Sequence, residues 1–480
     1  MARLFVFGIG GTGARVIKSL TMLCAAGVKP AEFDIVPILI DPHKDLPELR
    51  DCRKLLDLYS KVNRRCYATY TSDEERPFFH AKIQSLSEIA DGVNSGFDFD
   101  EKMNISFGDF IGYNTLQNND PNKDLIDMLY AEQSLNNSLS VGFKGNPNIG
   151  SVVLNRFDDL TWYRSFESIF SSGDRIFIVS SIFGGTGASG FPLLLKKLRD
   201  SNNKQVRNSI IGALPVMPYF KLTEPDDDSA HKDIDSNNFI TKTKSALIYY
   251  EKFLEGLNAL YYLADPHEQS KPYVNDEQKQ NNKAHVIEMI GASSIMDFAK
   301  RPLEGSSQEF YQYSLAEDSN RITFQNLGNE LRDEVQAELI NFFIFCRIHG
   351  KIKINKDAPV LKNEKFDERF FRNDFIMEID EFSARFSKWL GELAENDRQF
   401  SPFNMNELGE DFHKIVVGKE VKDKALLGLK KVTFNTSNYL NRMEALRGKL
   451  SGIPQDAINT KYLALVNLAI HEVNKEKFNY

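Results

Sequence analysis

Apolar residues fall in short continuous runs toward the start of the chain and at helical spacing elsewhere. Residues 3–7 (RLFVF) are apolar after the arginine, and glycines follow at once, so this run predicts a short buried strand. From Ala14 to Ala26 the apolar positions Val16, Ile17, Leu20 and Leu23 are three and four apart, as one face of a helix requires. Residues 33–40 (FDIVPILI) predict a second buried strand. Pro37 has no N–H to give a ladder, which places that strand near an edge or at a bulge. Strand, helix and strand in so short a span make a βαβ unit, the building block of parallel sheets covered by helices.

Helical stretches follow at 45–64 and 122–138, with a polar, Gly/Asn-rich segment between them. Residues 175–181 (RIFIVSS) predict another buried strand, followed by GGTGASG and the helical pattern FPLLLKKLRD. A further strand is expected at 208–217. A helix (241–256) and a short strand (258–264) are flanked by strongly polar stretches at 223–238 and 267–283, which read as surface loops. From about residue 284 helical periodicity dominates, with long stretches at 329–347, 375–395, 424–446 and 457–474, and no internal repeat is visible. The expected organisation is an α/β nucleotide domain over 1–290 and a helix-rich domain over 291–480.

With 480 residues, the chain is long enough for two or three domains. Lysine plus arginine number 59 against 67 acidic residues, a net charge of −8, which argues against a dedicated nucleic-acid binder because phosphate neutralisation needs a basic face. No apolar run approaches the length that spans a bilayer, so membrane insertion is not expected. The first apolar run ends in glycines where a signal peptide would continue into a longer apolar core, and the four cysteines show no metal-ligand spacing. Both features lead to the expectation of a cytoplasmic chain without zinc or disulfides.

Candidate chemistry begins at Gly8-Ile9-Gly10-Gly11-Thr12-Gly13, a GxGxxG loop between strand and helix. Glycines there allow a tight turn and let backbone N–H groups approach a phosphate at the positive end of the helix. Asp41 ends the second strand, where a dinucleotide fold puts its ribose carboxylate. Read alone, this loop fits a dinucleotide site, another phosphate loop, or a bare glycine turn. The second loop, Phe183-Gly184-Gly185-Thr186-Gly187-Ala188-Ser189-Gly190, also follows a buried strand and opens a helix. It has no place in the dinucleotide pattern, and without a following GKS or GKT it is no Walker loop. Its N–H groups and the Thr186 and Ser189 hydroxyls could cradle phosphates without a lysine, or the hydroxyls could cap the helix.

SSIFGGTGASG after a strand resembles the GGGTGSG signature of the tubulin/FtsZ superfamily, with Phe183 in place of the first glycine. FGIGGTGARVI resembles the first phosphate loop of the bacterial members, and ILIDPHKDL their segment after the second strand. The stretch from Gly142 to Gly150, GFKGNPNIG, resembles the loop that contacts the terminal phosphate, and NNKAHVIEMI the start of the central helix. The match covers most of 3–295 and is nearest the divergent bacterial tubulin-like proteins; the C-terminal 180 residues match nothing comparable. The resemblance implies a Rossmann-like parallel-sheet GTPase domain followed by the helix-rich domain. It implies GTP or GDP held with Mg2+ by Gly10, Gly11, Thr12, Gly13, Asp41, Gly145, Asn146, Gly184, Gly185, Thr186, Gly187, Ala188 and Ser189, with Asn282 (or neighbouring Asn281) reading the base.

In that family hydrolysis is completed by carboxylates of the next subunit in a head-to-tail stack, from a loop after the central helix. No clean copy of that loop is present; Asp297, Asn326, Glu330 and Asp333 are the candidates, and each could equally be ordinary solvated helix. Such stacking is a heterologous contact that makes filaments. Two other readings stay open: a non-polymerising nucleotide switch or scaffold whose helical half meets a partner protein, and an NAD-dependent oxidoreductase. His43, His231, His267 and His285 form no motif.

Overall fold

The computed structural model describes residues 1–43, 46–67, 78–91, 103–143, 145–222, 239–265, 272–273, 282–303, 308–313, 321–405, 412–419, 421, 434–454 and 456–478. The stretches expected to be surface loops, 223–238 and most of 267–283, lie outside them, as do His231, His267 and Asn281. The larger elements are β1 (Ala2–Ile9), α1 (Gly10–Ala26), β2 (Phe33–Ile40), α2 (Pro47–Tyr67), α3 (Pro147–Leu154), α4 (Thr161–Ile169), β3 (Arg175–Ser181), α5 (Gly185–Arg199), β4 (Ile210–Val216), α6 (Phe239–Phe253), β5 (Ala259–Tyr262), α7 (Val286–Lys300) and β6 (Glu309–Gln312). Four long helices follow: α8 (Asn329–Ile354), α9 (Asp374–Glu395), α10 (Thr436–Leu446) and α11 (Ile458–Phe478).

The six strands form one parallel sheet in the order β2-β1-β3-β4-β5-β6. Pro37 pairs inward with Val6. On the outer side, Ile35 N donates to Lys82 O at 2.9 Å and Gln84 N to Ile35 O at 2.9 Å, a single parallel bridge to Ile83. Residues two apart aim their N–H the same way, so the N–H that Pro37 lacks would face an edge where pairing has already stopped. The edge position expected from Pro37 is therefore the observed one. Counting Ile83 as a rudimentary strand gives the doubly wound order, with a topological switch between β1 and β3, where open α/β sheets bind ligands.

Helices cover both faces. On one, Phe166 of α4 meets the rings of Phe5 and Phe7 at 4.9 and 5.3 Å. On the other, α1, α2 and α7 pack down, with Phe298 5.1 Å from Phe177. The C-terminal helices form a further layer over α1 and α2: Phe342 of α8 contacts Phe78, Phe79 and Phe386, and Phe382 of α9 contacts Phe79 and Tyr59. One strand departs from the pattern. Glu309–Gln312 pairs parallel with β5 from a region whose periodicity reads as helical.

The direction of α7 matters for the site. Its first turn carries Glu288, beside α1, while Nη1 of Arg175, at the start of β3, donates to the carbonyls of Phe298 (3.0 Å) and Arg301 (2.9 Å) at its end. The helix thus runs antiparallel to the strands, from their carboxyl ends to their amino ends, about 22 Å for its 15 residues. The four cysteines are free thiols. No helix among the described residues is long and apolar enough to cross a membrane.

Candidate functional site

Both glycine loops lie at the carboxyl ends of adjacent central strands and open helices directly. Gly10 turns the chain from β1 into α1 with φ +74°, a conformation side chains other than glycine adopt at a cost. A Cβ at Gly10 would lie 3.7 Å from Gly187 N, 3.7 Å from Thr186 Cβ and 3.8 Å from Asp41 Oδ2. The loop after β1, the loop after β3 and the carboxylate after β2 therefore meet at one place. A third segment joins them, because a Cβ at Gly185 would be 3.1 Å from Gly145 N and 3.2 Å from Asn146 N. Gly13 has a different role from Gly10: a Cβ there would be 2.4 Å from the carbonyl carbon of Gly8, so it lets α1 sit on its own strand.

The electrostatics of this junction follow from the helix ends. Neither α1 (N-cap Ile9) nor α5 (N-cap Gly184) receives a side-chain cap, and neither has an acidic residue in its first turn. Each start leaves N–H groups without intrahelical partners and a partial positive charge, both directed at the junction. The Thr186 hydroxyl has no hydrogen-bond partner among the described residues. Asp41 is 5% exposed, its Oδ1 accepts the His43 N–H at 2.8 Å, and burial pushes its carboxyl up to about 7. Among the described residues no group of three His, Cys, Asp or Glu could hold a metal by itself. Magnesium needs less, one or two carboxylates plus phosphate oxygens and water, and Asp41 fits that part.

Two expected contacts turn out to be committed elsewhere. The Ser189 hydroxyl, 2% exposed, donates back into its own helix to Gly185 O at 2.7 Å, so its proton does not face the junction. Asn146 caps α3, its Oδ1 accepting from Asn148 N at 3.1 Å, and this leaves its backbone N–H as the group at the junction. The sequence carried both signals: a serine four residues into a helix back-bonds readily, and Asn-Pro is a common helix start.

Asn282 lies along α1, one turn further from the glycines. Its Nδ2 donates to Glu48 Oε1 at 3.2 Å. Glu48 and Glu288 share the Arg15 guanidinium (3.4 and 2.7 Å), which also donates to Tyr219 OH at 2.8 Å, and Tyr219 OH donates to Glu288 Oε1 at 2.9 Å. Burial raises both carboxyls, and Arg15 opposes it. Only about 40 Å³ stays open among Arg15, Lys18, Glu48, Asp51, Asn282 and Glu288. This charged cluster escaped the sequence reading because an arginine within an amphipathic helix reads as its solvated side. Arg15→Met, which strands two buried carboxylates, is expected to destabilise the fold by about 3–5 kcal/mol at pH 7. The loss should shrink toward pH 5, where the stranded groups take up protons; urea unfolding at both pH values checks it.

Three of the candidate hydrolytic residues, Asp297, Glu330 and Asp333, sit toward the opposite pole. Asp297 Oδ2, near the end of α7, accepts from Tyr261 OH (2.6 Å) and Arg301 Nε (2.5 Å). Asn326 Oδ1 caps a short turn by accepting from Thr323 N at 2.7 Å. Lys300 reaches Glu334 at 2.5 Å, which brings the start of α8, with exposed Glu330 and Asp333, beside the end of α7. Asp297 and the start of α8 thus lie about the length of α7 away from the carboxyl ends of the strands within one chain. His43 donates its backbone N–H there, and His285 is buried and held neutral, its imidazole pushed down to about 3 chiefly by burial.

No protein-family model matches the chain, and no curated protein matches it. Solved structures do. CetZ from Methanosaeta thermophila strain DSM 6194 is 11% identical over 55% of this chain and 46% of that one, with a TM-score of 0.26. CetZ2 from Haloferax volcanii, in a GTPγS-bound protofilament, is 11% identical over 62% of this chain and 58% of that one, with a TM-score of 0.30. TubZ from Bacillus thuringiensis serovar israelensis, in a GTPγS-form protofilament, is 13% identical over 55% and 48%, with a TM-score of 0.23. The chain spans about half the length of these structures. In structure it is similar, at low identity and over part of its length, to CetZ and TubZ, proteins of the tubulin/FtsZ superfamily.

Proposed function

We propose that the chain is a GTP-binding protein of tubulin/FtsZ type, taking Mg·GTP where β1, β2 and β3 end. The observation that carries this reading is the close approach of Gly10 to Thr186 and Gly187, which brings two uncapped helix starts together. Backbone N–H groups of Gly11, Thr12 and Gly13 on one side, and of Gly185, Thr186 and Gly187 on the other, would bind the phosphates, with Gly145 and Asn146 N–H closing over the end. Asp41 would hold magnesium through its water shell. The metal supplies a counter-charge to the β- and γ-oxygens when bound. The preference for guanine rests on the sequence resemblance alone.

The two poles support a division of labour between copies. If chains stack head-to-tail, the α7–α8 junction of one copy, with Glu330 and Asp333, would face the glycine loops of the next. A non-polymerising switch, with residues 291–480 facing a partner protein, is the second reading, favoured by the ties that hold Asp297 and Asn326 in their own chain. The NAD reading uses the first loop and leaves the second without a task. Calorimetry with GTP, GDP, ATP and NAD, with and without magnesium, tests the set. Magnesium-dependent heat with GTP is expected, and binding of NAD alone would overturn the proposal. Turnover per chain that climbs steeply with protein concentration supports stacking, and flat or absent turnover supports the switch.

A further inference from the structure

Two helices carry large apolar side chains on their outward sides. In the short helix Pro121–Leu129, Ile126 packs inward on the core, while Leu125, Met128 and Leu129 are each more than half exposed. Spaced three and four apart, these three form one ridge, and exposed Asp124 lies along its edge. Asp120 at the N-cap, Asp127, which accepts from Tyr113 OH at 2.6 Å, and Glu132 extend the negative charge around it. The second helix is α6. Its inner side is fixed by Phe239 against Phe183 and by Tyr250 against Phe191, with ring centres 4.6 and 5.3 Å apart. Its outer side presents Ile248, Tyr249 and Phe253, all exposed, and the rings of Tyr249 and Phe253 lie 5.1 Å apart. A surface helix normally keeps such positions polar. Lys244 and Lys252, both exposed, stand on this side one turn before and one turn after Ile248, with Glu251 at its margin.

We propose that α6 of one copy seats on the 121–129 ridge of a second copy, with its lysines facing the aspartates of that ridge. The two faces match in kind and oppose in charge: one apolar ridge is edged by carboxylates, the other by ammonium groups. Neither covers the other within the chain, and a second copy buries both in one contact. An anionic membrane fits α6 less well, because recognition of such a surface takes clusters of roughly four to eight basic residues, and this side has two lysines opposed by Glu251. The contact needs no nucleotide and is separate from the stacking of glycine loops on the α7–α8 junction.

The test is sedimentation velocity of the full chain over a concentration series, with a chelator and without nucleotide, on wild type, Phe253→Ser, Leu129→Ser and a mixture of the two variants. Both positions are exposed, so the variants should melt at the wild-type temperature. Wild type is expected to self-associate, less strongly as salt rises, and each variant alone to lose roughly tenfold or more in that association. Mixed, the two variants should pair, because an intact α6 from one meets an intact ridge from the other. Wild type that stays monomeric at every concentration would overturn the proposal, as would a mixture that fails to pair. A monomeric wild type that instead sediments with phosphatidylserine vesicles would assign α6 to a membrane surface and overturn it too.

Discussion

Gly187→Ala is expected to abolish nucleotide binding and to lower the melting temperature by several degrees. A Cβ at Gly187 would stand 2.7 Å from Ser181 N, 2.7 Å from Ser181 O and 2.8 Å from Ser181 Oγ. Two of those atoms are backbone of β3, whose end is pinned to β4 by Ile182 N donating to Val216 O, so they cannot swing away as the end of a side chain could. The start of α5 must lift instead, at a cost of about 1–3 kcal/mol, and its N–H groups move off the junction. Gly350→Ala is the control. Gly350 lies inside α8 with nothing within 4 Å of the added carbon, and alanine is the better helix former by about 1 kcal/mol, so its effect should be neutral or slightly stabilising. Thermal melts and calorimetry on the two variants separate a packed phosphate loop from a generic glycine.

Asp41→Asn is expected to act in opposite directions on stability and on binding. Its carboxyl titrates near 7 in the folded chain against 3.8 for the free side chain, because burial disfavours the charge. Below 3.8 both states keep the proton. Between 3.8 and about 7 the unfolded chain releases it first, so wild type loses stability as pH rises through that window and stays at its deficit above it. Asparagine keeps the His43 contact without the charge. The variant should therefore gain over wild type on the order of 4 kcal/mol at pH 8, with the gain shrinking toward pH 4. Magnesium-dependent nucleotide affinity should fall roughly 10–100-fold, the usual range when a group that orients a metal's shell is removed. Unfolding at several pH values reads the first effect, and calorimetry with and without magnesium the second. A variant that is less stable at pH 8 would mean Asp41 is a structural cap.

The parts of the fold that show in the sequence are those where a residue type has one physical use. Pro37 marked an edge because a missing N–H can only face one. Glycine after an apolar run marked both loops, since only there does a strand turn straight into a helix without a capping side chain. Glu309–Gln312 was hidden because an exposed strand at a sheet edge shows no apolar run, only backbone pairing with β5. The helix read as 329–347 continues to Ile354 across Gly350, where tertiary packing outweighs glycine's low propensity. Of the helix read at 424–446, the described part is Thr436–Leu446.

Within the site, backbone roles were easier to read than side-chain roles. Gly10, Gly185 and Gly187 meet because the topology puts β1 and β3 side by side, and the motif alone locates them. Ser189 and Asn146 carry oxygens that could serve a ligand or their own helix, and local backbone won in both cases. Asp297 stands in a helix of ordinary composition, and only the fold shows Tyr261 and Arg301 closing on it. Arg15, Glu48 and Glu288 come from three separate segments, and no spacing rule connects them.

Hydrogen–deuterium exchange of the full chain with and without Mg·GTPγS addresses the junction most directly. Slowed exchange in peptides covering 9–14 and 184–190 together, saturating at one nucleotide concentration, is the outcome expected if one triphosphate is held between the two helix starts. Protection confined to 9–14, or protection of the two segments at different concentrations, would contradict it.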